Sequence, residues 1–424
     1  MKEYLKKLPK KIQDLISLIS QAACETGVSV YLVGGFVRDL ILGEPNLDLD
    51  IVVEGDGIAF AAELAKSLKS HLVRHRRFGT ATVLTSDKLK VDISTAREEY
   101  YEKPAALPCV RAGMLKDDLK RRDFSINAMA ISINRGDFGR LIDFFKGRDD
   151  LHYKRIRILH DLSFIDDPTR ILRGIRFEQR YGFHIEPHTL RVLKCALEAD
   201  MLSRVSPHRI RDEIILILKE ADPLACIVRM QHLSGFAFIQ AHLKVGSKVI
   251  RLLRAVRREI EWFSENFSRR RSLDSWLMYF TVMLDSLSSR QITALCRRLA
   301  LNKGDEKRIL SFRKESLILK NRLSKSGLKP SDIFKLLEPL SYEVILLAKA
   351  HYGSKRLNNY ISRFLQLYNG MSSLISGKDL MRMGLAPGPH YKQILDELLY
   401  LRLDGRLRTR KQQIRWIKEK ISKR

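Results

Sequence analysis

The chain has 424 residues, 45% of them hydrophobic, enough for real cores in about two to four domains or one elongated multi-part body. Its 77 Lys and Arg outnumber 49 Asp and Glu, and the net charge of +28 points to a polyanionic partner. No apolar run reaches the roughly 18 residues that span a bilayer, and the N-terminus lacks the apolar core and cleavage site of a secretory signal. The five cysteines (Cys24, Cys109, Cys195, Cys226, Cys296) form no CxxC or Cys/His cluster, so neither a zinc site nor a disulfide framework is indicated and a reducing cytoplasm is expected.

The first segment, MKEYLKKLPKKIQDLISLIS, reads as a short amphipathic helix. Val28 to Val33 is a predicted strand. It runs into Gly34 and Gly35, which let the backbone turn tightly and approach a ligand with no Cβ in the way. Phe36 to Leu42 reads as the start of a helix whose free N–H groups attract phosphate, and Arg38 there offers a fork of donors for a phosphate or a ribose. Leu47 to Val53 is the next strand. It places Asp48 and Asp50 at i and i+2, on one face. Two adjacent carboxylates repel unless a cation lies between them, and magnesium, a hard ion that prefers oxygen ligands, suits the pair. Gly57 to Ser70 reads as a helix, and Ala81 to Thr85 and Lys90 to Ser94 as strands. Asp92, on the last of these, is either a third carboxylate facing Asp48 and Asp50 or a strand-end Asp held by local hydrogen bonds. Glu98 to Ala112 is polar with two prolines and reads as a mobile loop. In Lys120 to Ala130, KRRDFSINAMA, Arg122 can neutralise a triphosphate by planar bidentate donation.

From Asp150 onward strand signals nearly vanish. Pro168 to Tyr181, His188 to Leu197, His208 to Glu220, Leu273 to Leu287 and Pro330 to Leu337 have helical periodicity. In the first of these, DDPTRILRGIRF, Pro168 suits the opening helical turn. Arg170, Arg173 and Arg176 recur every three residues along one stripe. Asp167 can accept from an exocyclic amine, and Arg170 can donate to the ring acceptors beside it. Arg269-Arg270-Arg271 and the nine basic residues from Arg406 to Arg424 read as contacts for a nucleic-acid backbone. The fold class is therefore α+β: a small mixed-sheet head followed by an extended all-α remainder.

Three phrases carry a family resemblance: the segment Tyr31 to Val53, the RRDFSINA phrase at Arg121, and DDPTR at Asp166. Together they resemble the class II tRNA nucleotidyltransferases (CCA-adding and A-adding enzymes) and bacterial poly(A) polymerases, within the superfamily related to DNA polymerase β. Ser376 to Pro389 with Leu403-Asp404-Gly405 resembles the tail of the same enzymes. The resemblance implies a catalytic head over residues 1–147, a helical neck over 148–220, an RNA-binding body over 221–350 and a basic tRNA-binding tail over 351–424. It implies that Asp48 and Asp50, with Asp92 as a further candidate, hold magnesium. One ion would activate the tRNA 3′-hydroxyl and the other would steady the triphosphate. It implies that Gly34, Gly35, Arg38, Arg122, Arg173 and Arg176 hold the nucleotide, and that Asp167 and Arg170 select its base. ATP, with CTP, and the tRNA 3′ end are the implied partners, with no membrane and no protein partner. Asp166 departs from the family's usual Glu, which puts the role of that side chain in question. The alternatives are a poly(A) polymerase, a CC-adding specialist, and a non-catalytic RNA-binding protein on the same fold. The wording of residues 91–108 inclines towards the A-adding branch.

Overall fold

The order of strands in the head brings two acidic strands side by side. The structure, a computed structural model, describes residues 1–76 and 79–421. In the head lie β1 (Ser29–Val33), β2 (Leu49–Glu54), β3 (His71–His75), β4 (Thr80–Leu84), β5 (Lys90–Thr95), β6 (Arg97–Tyr100), β7 (Cys109–Ala112), β8 (Ala130–Ser132) and β9 (Leu141–Ile142). Seven of them form one mixed sheet in the order β3-β4-β5-β2-β1-β8-β9. Only β2 and β5 pair in parallel, with Asp50 directly opposite Asp92. The helix Gly57–Ser67 connects β2 to the edge of the sheet, as the sequence predicts but three residues shorter. Asp56 caps its first turn by accepting from Ile58 and Ala59 N–H groups, and Phe60, Ala61 and Leu64 are buried beneath it. A second layer packs Leu115 and Leu119 against Val33, Val52 and Ala130.

One expectation changes here. The segment read as a mobile loop over Glu98 to Ala112 contains two paired strands, β6 and β7, and only residues 101–108 connect them. Its charges look like loop composition but close on one another. Glu98 faces Arg111 across the pair at 2.6 Å, and Glu99 holds both Arg97 and Arg121 at 2.9 Å. The connecting turn is also tied down, because Ala105 N–H donates to the Ile165 carbonyl at 3.1 Å.

The chain divides into two compact units, Met1–Ile239 and Gln240–Arg424. The first continues after the head with helices Pro187–Glu198, Pro207–Leu218 and Pro223–Leu233. Each opens on a proline at a position whose missing N–H costs no hydrogen bond.

The second unit is helical throughout its described residues. Tyr342–Tyr352 is its central helix, with Val344 to Ala348 buried in an unbroken run, as expected of a helix covered on all sides. The tail phrase that carries resemblance is structural punctuation. Ser376 and Asp379 form a capping box. Asp404 accepts from Ser331 N–H at 3.0 Å and Oγ at 2.9 Å, satisfying a free donor at the start of Pro330–Leu337. No helix among the described residues is long and apolar enough to cross a membrane.

Two of the three arginines of the Arg269–Arg271 cluster, Arg270 and Arg271, are committed to protein groups rather than left free for a nucleic-acid backbone. Arg270 donates to Tyr342 and Asn369 and, at 2.7 Å, to the Leu365 carbonyl. Arg271 makes a bidentate pair with Glu343 at 2.7 and 2.8 Å. Glu343 is only 1% exposed. Burial pushes its carboxyl up, but Arg271 and backbone N–H groups outweigh burial and draw it down to about 2. Glu343→Gln therefore destabilises the unit by roughly 2–4 kcal/mol at neutral pH, because Arg271 and Arg308, the latter 3.5 Å away, lose a buried counter-charge. The folded pKa lies below the ordinary 4.5, so the contribution is complete above that pH and fades as pH falls towards 2. Denaturant unfolding of wild type and variant across that range should show the gap closing; a gap independent of pH would remove the ion pair as its cause.

Candidate active site

The site begins at the end of β1. Gly34 has φ +68°, a left-handed conformation that favours glycine. A Cβ there would lie 2.7 Å from Arg122 Nη1 and 3.7 Å from an Asp50 oxygen. The residue must therefore be glycine both for its backbone and for the guanidinium packed on it. Gly35 opens helix α1 (Gly35–Leu42).

Arg122 follows helix α2 (Leu115–Lys120), and a carboxylate one turn earlier holds it. Asp118 is fully buried and takes Arg122 Nη2 at 2.8 Å and Arg121 through two nitrogens at 2.7 and 2.9 Å. Burial alone would raise the Asp118 carboxyl, but the two guanidiniums outweigh it and hold it below the usual range. Arg121 reaches on to Glu99 of β6, which also accepts from the Tyr101 hydroxyl at 3.3 Å. Burial pushes the Tyr101 phenol up to about 12, so it stays a donor at neutral pH.

The base-reading candidates lie on the other wall, at helices α3 (Ser163–Asp166) and α4 (Thr169–Tyr181). Asp167, between the helices, receives Thr169 N–H at 3.1 Å, Thr169 Oγ1 at 2.6 Å and Arg209 Nη2 at 2.7 Å, all on one oxygen, Oδ1. Its Oδ2 is left as an acceptor. Arg170 donates to Ser163 Oγ and to the Arg121 carbonyl, both at 2.7 Å, which fixes it across from α2. Asp166 does not line the cleft. It stands 4.0 Å from His160, and burial raises its carboxyl. Its substitution for Glu thus falls outside the cleft lining.

Between these walls lies a cavity of about 530 Å³. It is lined by Arg38, Arg121, Arg122, Arg170, Arg173, Arg176, Arg180 and Arg209, against Asp50, Glu99, Asp123 and Asp167. The lining thus carries more guanidiniums than carboxylates, and Asp39, Asp118, Glu213 and Glu220 behind it pair with several of them. Several of these arginines are less free than the sequence reading implies. Arg38 is 5% exposed. It is clamped by Asp39 at 2.8 and 2.9 Å, donates to Asn127, and lies over the rings of Phe177 and Tyr181. Two of its five N–H donors remain. Arg38 thereby fastens α1 to α4. Arg173 is bidentate to buried Asp123 at 2.6 and 2.8 Å. Burial opposes the Asp123 charge, but Arg173 and Asn127 bring its carboxyl to about 2. Arg176 pairs with Glu220 at 3.4 Å and Glu213 at 3.7 Å.

The acidic cluster faces a second cavity of about 420 Å³, which Asp50, Asp92 and Arg122 line. Asp48 lies just before β2 and is exposed. Burial raises the Asp50 carboxyl, Asp92 and Asp48 add to this, and Arg122 and Lys90 only partly offset it. Asp92 has both oxygens occupied, by Thr82 Oγ1 at 2.7 Å and Lys90 Nζ at 2.5 Å. Among the described residues no three His, Cys, Asp or Glu side chains converge as a ready metal cage.

Asp118, Glu99, Tyr101 and Arg209 are additions that the sequence reading misses. Asp118 was accessible, since a carboxylate four residues before an arginine on a helix is a pairing signal. Arg209 is 42 residues from Asp167 in the chain, and nothing local marks it.

Comparison with known proteins agrees with this geometry. Residues 30–157 match the poly(A) polymerase head domain, and residues 182–244 match the probable RNA- and SrmB-binding site of polymerase A. The A-adding tRNA nucleotidyltransferase of Geobacter sulfurreducens is 37% identical over 96% of this chain, which spans about half (47%) of that protein's length. The A-adding enzyme of Halalkalibacterium halodurans is 35% identical over 90% of this chain and 86% of its own. The structure of the Thermotoga maritima CCA-adding enzyme complexed with tRNA superimposes with a TM-score of 0.74 at 35% identity, covering 99% of this chain and 98% of that one. Likeness at this level, carried across nearly the whole of two such proteins, shows that the chain belongs to the tRNA nucleotidyltransferase family of enzymes.

Proposed function

We propose that this chain extends the 3′ end of tRNA without a template, adding the terminal A from ATP and releasing pyrophosphate. The observation that carries the reading is one cleft with two chemistries: an arginine wall for a triphosphate, and the Asp167/Arg170 pair for a base. The parts divide as a catalytic head over 1–147, a neck carrying the base readers over 148–220, a body over 221–350 and a basic tail over 351–424 that engages the tRNA backbone.

Arg122 and the N–H groups at Gly34 and Gly35 bind the triphosphate, with Arg38, Arg173 and Arg176 setting the field around it. Arg173 and Arg176 are held by Asp123, Glu213 and Glu220, so they are pre-oriented rather than floppy. Asp167 Oδ2 accepts from the exocyclic amine that A and C carry and U lacks, while Arg170 donates to the neighbouring ring acceptor. The 3′-hydroxyl oxygen then attacks the α-phosphorus, the bond to the β-phosphate oxygen breaks, and the hydroxyl proton leaves to the carboxylate cluster or solvent. Asp48 and Asp50 are the residues that would hold magnesium. The donor set is all oxygen, and half-buried Asp50 stands opposite Asp92 on the neighbouring strand. Bound there, the metal would supply the charge that lowers the hydroxyl's pKa and stabilises the departing pyrophosphate.

A reading in which CTP is also used, giving the full CCA, is favoured by the tRNA-bound CCA-adding neighbour. Three RNAs separate the readings: tRNA lacking CCA, tRNA ending in CC, and an unrelated RNA, each offered one nucleotide at a time. An A-adding enzyme extends only the second, by one A. CTP incorporation on the first would replace that reading with CCA addition, and long A tails on the third would indicate a poly(A) polymerase.

Asp48→Ala should abolish incorporation while tRNA binding survives, and unchanged incorporation would sink the site assignment. Gly34→Ala places a Cβ 2.7 Å from Arg122 Nη1. It should weaken ATP binding, read by calorimetry, by roughly tenfold or more, about 1.4 kcal/mol. Equal affinity would remove Gly34 from the triphosphate site.

A further inference from the structure

Lys90 and Asp92 are i and i+2 on β5 and so share a face. On the parallel neighbour β2, Asp50 stands opposite Asp92, and Asp48 lies just before that strand. One ammonium therefore lies among three carboxylates. Its Nζ is 2.5 Å from Asp92 Oδ2, while Thr82 Oγ1 on β4 takes the other oxygen at 2.7 Å. The charges of Asp48, Asp50 and Asp92 all act on this ammonium. Arg122, which lines the cavity with Asp50 and Asp92, is anchored to buried Asp118 at 2.8 Å. Lys90 is not anchored in this way. Its side chain is 48% exposed and that of Asp92 38%, and an ion pair so open to water is weak and exchangeable. Asp92 therefore meets the cluster through a removable cation, which explains why three carboxylates on adjacent strands do not converge as a cage.

We propose that Lys90 is the internal counter-ion of this cluster, holding Asp92 until a divalent cation displaces it and thereby setting how tightly the site takes that cation. The inference rests on the reading that Asp48 and Asp50 hold the metal. In the absence of cation, Lys90 stands in for part of its charge and keeps the carboxylates from repelling one another. When a divalent ion arrives, like-charge repulsion drives the long, flexible side chain outward, and Asp92 is released to the cluster.

The test is Mn²⁺ binding to the full chain without nucleotide, read from the electron paramagnetic resonance of free Mn²⁺. Lys90→Met keeps the length of the side chain and removes its charge. It should tighten Mn²⁺ binding by about three- to tenfold. Lys90→Arg should leave it near wild type, and Asp92→Asn should cancel the effect of Lys90→Met in the double variant. Unchanged or weaker binding by Lys90→Met, with an unaltered melting temperature, would overturn the proposal, as would a gain that persists in the double variant. So would the absence of measurable binding in both wild type and Lys90→Met. Asp48→Ala isolates the underlying reading. If it binds Mn²⁺ as wild type does, the metal assignment is at fault rather than the role of Lys90.

Discussion

The buried Asp118 carboxylate organises the active-site cleft. A carboxylate removed from water must be paired, and here two consecutive guanidiniums do it. That requirement turns Arg122 towards Gly34 and Asp50, and Arg121 towards Glu99. Removing any partner would leave an uncompensated buried charge, which costs more than the pair itself contributes. The cleft is in this sense built from the inside: acids buried in the protein fix the directions of arginines that face an anionic ligand. Asp123 repeats the arrangement with Arg173, and Asp39 repeats it with Arg38.

This arrangement has a consequence for selectivity. Base recognition by two side chains works only if both are held still, because each hydrogen bond contributes little when it must first be ordered. Asp167 is held through one oxygen by Thr169 and Arg209, and Arg170 through Ser163 and the Arg121 carbonyl. The Arg121 carbonyl belongs to the same turn that presents Arg122. The proposed phosphate grip and the proposed base readers are thus one connected piece, with the β6–β7 hairpin joined to it through Glu99. A nucleotide whose base does not fit would disturb its phosphate contacts as well.

Much of the cleft was legible in the amino-acid order. The Gly-Gly turn, the i, i+2 aspartates and the Arg stripe are local patterns, and a local pattern survives folding when its own element sets the geometry. The paired strands of β6 and β7 were not legible, because alternate charges that pair across a hairpin have the composition of a loop. Nor was the commitment of Arg38, Arg173 and Arg271 to internal carboxylates, or of Arg270 to internal hydroxyl and carbonyl oxygens. An arginine reads the same in sequence whether its partner is a phosphate or a Glu 72 residues away, as Glu343 is from Arg271. Asp92 was left between two readings. It stands opposite Asp50, and both its oxygens are taken by Lys90 and Thr82, which is the local hydrogen bonding of the second reading.

The proposed function has the cleft choose a base with protein groups alone. The most direct test is to measure binding of ATP, CTP, UTP and GTP to the full chain with a divalent cation and no RNA. Tight binding of ATP, with or without CTP, and at least tenfold weaker binding of UTP and GTP (about 1.4 kcal/mol) is the expected result. Equal binding of all four would contradict it and place the choice of base elsewhere, in the RNA or in the chemical step.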